Sequence, residues 1–118
     1  MCFRLLAAVK GMPPSSLELT ATRVGLDVRA ADRGTGRFVE LAWGDCACSL
    51  YTRKEGKDRA VAFVEALLRG GCEVQLLLAR DDEPLALEGP VERIALEHFR
   101  AEGLPRLPEG KVVALVIG

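Results

Sequence analysis

The chain opens on a period of two. Phe3, Leu5, Ala7 and Val9 fall on one side and Arg4, Leu6, Ala8 and Lys10 on the other, which predicts a first strand. Gly11 and Pro13-Pro14 stop it, and Ser15 or Ser16 is suited to accept from a free backbone N–H as the N-cap of a helix from Leu17 to about Val24. Gly25 is the expected C-cap. Leu26, Val28 and Ala30 then alternate with Asp27 and Arg29 as far as Asp32-Arg33-Gly34-Thr35-Gly36, whose glycines suit a hairpin turn into a third strand from Arg37 to Trp43.

Beyond Trp43-Gly44-Asp45-Cys46-Ala47-Cys48, Thr52 to Glu55 has the spacing of a capping box, with a start near Lys57 as the alternative because Gly56 weakens the first turn. Ala60, Val61, Val64, Leu67 and Leu68 line one face of the helix that follows, and Gly70-Gly71 ends it. Cys72, Val74, Leu76 and Leu78 alternate with Glu73 and Gln75 in a fourth strand, whose alternation turns Cys72 toward the core as an inert thiol. After Pro90 the spacing of Val91, Ile94, Ala95, His98 and Phe99 predicts a last helix, with His98 a packed or half-buried ring on its apolar face. Lys111 to Ile117 closes the chain as a strand whose unbroken apolar run suits cover on both faces or a contact between subunits.

The resulting order is that of an α+β chain with a ferredoxin-like βαββαβ core followed by a C-terminal helix and strand. In such folds the strands lie in the order four, one, three, two with antiparallel neighbours. That order places the start of strand one, and with it Cys2, beside the end of strand three, near Cys46 and Cys48. It also leaves Leu6, Ala8, Phe38, Ala42, Leu77 and Ala79 on the sheet face away from the first two helices, an apolar surface to be covered by the last helix or by a second subunit.

Composition narrows the picture without naming a chemistry. A chain of 118 residues is the size of one domain, so residues 1–118 are read as a single one. A net charge of -1 gives no field to draw it to nucleic acid, and the outward Glu40 of strand three stands where an RNA-binding sheet would offer an aromatic. Phe3 to Val9, broken by Arg4, is too short for a signal peptide or a membrane span, and the expectation is a cytoplasmic protein with reduced thiols.

The candidate chemistry is therefore the thiols. Cys46, Cys48 and Cys2 are a candidate soft-metal or redox site, since thiolates bind zinc or copper(I) and oxidise reversibly. Arg53, Lys54 and Lys57 in the first turn of a helix oppose its macrodipole, which points to a negative partner nearby, either those thiolates or a small anion such as phosphate. The alternative for these bases is a solvated run balanced by Glu55 and Asp58, and for the cysteines simple packing as small hydrophobes. Two functions stay open. One is a small binding or interaction module of unspecified ligand, assembled as a homodimer; the other is the thiol site. No cofactor or catalytic residue is assigned.

Overall fold

A computed structural model describes residues 3–11, 13–30, 39–43, 53–80, 91–103, 107–108 and 110–117. Cys2, Cys46, Cys48 and Phe38 lie outside the described residues. The elements are β1 (Phe3–Lys10), α1 (Pro14–Arg23), β2 (Asp27–Ala30), β3 (Val39–Ala42), α2 (Lys54–Arg69), β4 (Glu73–Arg80), β5 (Glu92–Ala95), α3 (Leu96–Glu102) and β6 (Val112–Val116). Together they make a mixed α+β fold with one six-stranded sheet and three helices.

The strands lie in the order β2-β3-β1-β4-β6-β5. The pairs β1·β3, β1·β4, β2·β3 and β4·β6 are antiparallel, and β5·β6 is parallel. This differs from a four-stranded sheet, because β6 and β5 extend it beyond β4 and make β4 an interior strand. Burial explains the composition of β4. Leu76, Leu77, Leu78 and Ala79 are all within 1% of complete burial, as a strand covered on both faces requires.

All three helices contribute to one core with one face of the sheet. Leu17 and Ala21 of α1, Ala60, Phe63, Val64 and Leu67 of α2, and Leu96 and Phe99 of α3 meet Leu5, Leu41, Val74, Leu76, Val113 and Leu115. The opposite face carries a smaller cluster of Leu6, Ala8, Leu77 and Val112. Ala42 and Ala79 are buried as well. The expected cover by the last helix is not what buries this face, because α3 packs with α2 on the other side. Burial is complete within one chain, so these residues offer no open apolar surface for a subunit contact.

Two helix boundaries also depart from the sequence reading. Pro13 is the N-cap of α1 and no side chain caps it; the Pro13 carbonyl accepts from Ser16 N and Leu17 N at 3.1 Å each, and Pro14 fits the first turn because its missing N–H would have had no helical partner. Thr20 and Thr22 reconcile β-branching with a helix by donating their hydroxyls to the Ser16 and Glu18 carbonyls at 2.9 Å. At the C-terminal end of the chain, Glu92–Ala95 is a strand and α3 begins only at Leu96. Leu96 and Phe99 become its buried pair, and His98 is exposed instead of packed.

Candidate functional site

An open cleft lies where the sheet divides. The β4·β6 ladder runs from Leu77–Val112 to Val74–Leu115 and ends there. Beyond it β4 continues to Glu73 beside Lys10 of β1, while β6 continues to Val116 beside Ala95 of β5. A cleft of about 610 Å³ occupies this fork, with Val74 and Leu115 among its apolar lining and Glu73, Gln75 and Arg93 as its polar groups. Val91 and Ile117 also line it, and they are two of the three large hydrophobic side chains left exposed among the described residues, at 41% and 62%.

Alternation fixes which groups share a face here. Val74, Leu115 and Ile94 form a row on the helix side. Gln75, Ala114 and Arg93 form the next row, which therefore faces the other way, and Glu73 joins that face two residues along β4. Glu73 and Arg93 thus stand on one surface, on strands that flank β6 and two residues apart in register. Both are exposed, and neither has an ion-pair partner among the described residues.

Cys72 enters the cleft wall through the end of α2. Gly71 adopts φ +83°, the left-handed conformation in which only glycine avoids a Cβ clash with its own carbonyl. This lets Cys72 N donate to the Leu67 carbonyl at 3.0 Å and Gly71 N to the Leu68 carbonyl at 3.1 Å, the paired closure of a Schellman end. The chain turns directly from helix to strand, and the free Cys72 thiol packs in the core at 6% exposure. Alternation along β4 had placed it there.

A second polar feature is built on Arg59. Its Nη1 donates to the Val24 carbonyl at 3.0 Å, its Nη2 to Glu55 Oε1 at 2.7 Å, and its guanidinium carbon lies 5.1 Å from the Trp43 ring centroid. One side chain thereby ties the α1–β2 turn, the first turns of α2 and the end of β3. Its buried Nε–H finds no partner among the described residues. Sequence reading missed this residue; the Glu55–Arg59 spacing of four was legible, but Val24 and Trp43 are not its neighbours along the chain.

The basic first turn of α2 is resolved residue by residue. Lys57 donates its ammonium to the Ala101 carbonyl at 2.9 Å, which satisfies a free acceptor at the C-terminal end of α3. Arg53 and Lys54 are exposed. Two turns further along α2, Glu65 bridges Arg100 at 2.7 Å and Arg69 at 3.0 Å, and the hydrogen bond from Arg100 leads in holding its carboxyl below the ordinary 4.5. Glu40, expected to face outward, is half-buried and pairs with Arg4 at 3.5 Å.

Among the described residues, no group of three or more His, Cys, Asp or Glu side chains is arranged to hold a metal ion. Within the same residues no helix is long and apolar enough to cross a membrane. Comparison with protein-family models, with curated proteins and with solved structures gives no match.

Proposed function

We propose that this chain is a small α+β binding or interaction module that assembles with itself, on a ferredoxin-like core to which β6 and β5 are added. The core reading is supported by the antiparallel pairing of β1 with β3 and β4 and of β2 with β3. The observation that carries self-association is the sheet fork: an open cleft whose lining includes both Val91 and Ile117, apolar side chains that gain by leaving water. Sedimentation velocity over a micromolar concentration series tests it. The wild type is expected to sediment as a dimer at the upper end, and the double variant Val91→Asp, Ile117→Asp as a monomer. A monomeric wild type throughout the series contradicts the proposal.

A second reading, a soft-metal or redox site from Cys2, Cys46 and Cys48, is favoured by one observation. Leu5 pairs with Leu41 in an antiparallel ladder, so the start of β1 runs toward the end of β3. Anaerobic reconstitution with zinc or copper(I), followed by metal and thiol counting, tests this reading. Stoichiometric metal lost in the variant Cys46→Ser, Cys48→Ser supports it, and free titration of Cys2, Cys46 and Cys48 with no metal retained removes the metal form.

A further inference from the structure

We draw no further inference here: the strongest candidate, the cleft at the sheet fork between β4 and β6, belongs to the site already described, and nothing in the structure shows what covers it.

Discussion

Gly25 and Arg59 form a coupled pair whose energy is open to measurement. Gly25 follows α1 at φ +79°, where it donates to the Thr22 carbonyl at 3.0 Å while Leu26 N reaches the Ala21 carbonyl at 2.8 Å. A Cβ built on it would lie 1.6 Å from Arg59 Nη1, so Gly25→Ala imposes two separate costs. The left-handed backbone costs an L-residue about 1–2 kcal/mol. The guanidinium is the far end of a flexible side chain and moves aside, but moving forfeits its bonds. A charge-assisted hydrogen bond such as that to Val24 is worth about 1.5–3 kcal/mol, the spaced pair with Glu55 about 0.3–0.5, and the Trp43 contact about 0.5–1. Release of the unpartnered Nε–H offsets part of this, leaving roughly 2–3 kcal/mol for Arg59→Ala. Gly25→Ala is then expected to cost about 3–4 kcal/mol, and the double variant about 4, because the arginine is lost only once. Urea unfolding at neutral pH with unchanged m-values measures the cycle. A double variant about 2 kcal/mol less destabilised than the two singles added supports the geometry, whereas additivity within about 0.5 kcal/mol refutes it.

Further outcomes follow from burial and charge. Phe63→Ala, which empties a site with 0% exposure at the centre of α2, is expected to destabilise by about 3–5 kcal/mol in the same unfolding assay. Glu65 has its folded pKa held below 4.5, so its ion pairs stabilise the fold fully above that value, and the contribution is lost as pH falls through the lower folded value. Thermal melts of Glu65→Gln should therefore fall below the wild type at pH 6–7 and close on it as pH drops below 4.5 through the lower folded value, and a gap independent of pH would contradict the assignment. Native Cys72 should react with a thiol reagent only at the rate of opening, so rapid modification mapped to Cys72 by mass spectrometry would contradict its place in the core.

What was legible in the sequence follows the regularity of each pattern. α2 was readable because its apolar spacing keeps a helical period and Gly70-Gly71 ends it; Phe63 belongs to that same face, three residues after Ala60 and four before Leu67, and was passed over. The inward register of Cys72, Val74, Leu76 and Leu78 was readable from alternation alone. β5 was not, because Ile94 is the one buried residue of this four-residue edge strand, and the spacing of Val91, Ile94, Ala95, His98 and Phe99 imitates a helix. Partners distant in sequence were equally hidden. Lys57 was read as an anion-binding base, yet it serves a carbonyl 44 residues away, and Arg59 reaches back 35 residues to Val24. The need for cover on the second sheet face was legible from Leu6, Ala8 and Leu77, but nothing in a periodicity distinguishes cover from within the chain from cover by a second one.

The self-association at the sheet fork is tested most directly by amide NMR of the wild-type protein over a dilution series. Resonances of Glu73, Gln75, Arg93, Val116 and Ile117 are expected to shift with concentration, while those of Asp27 to Ala30 on the far edge strand stay fixed. Shifts confined to that far edge, or none at any concentration, would contradict it.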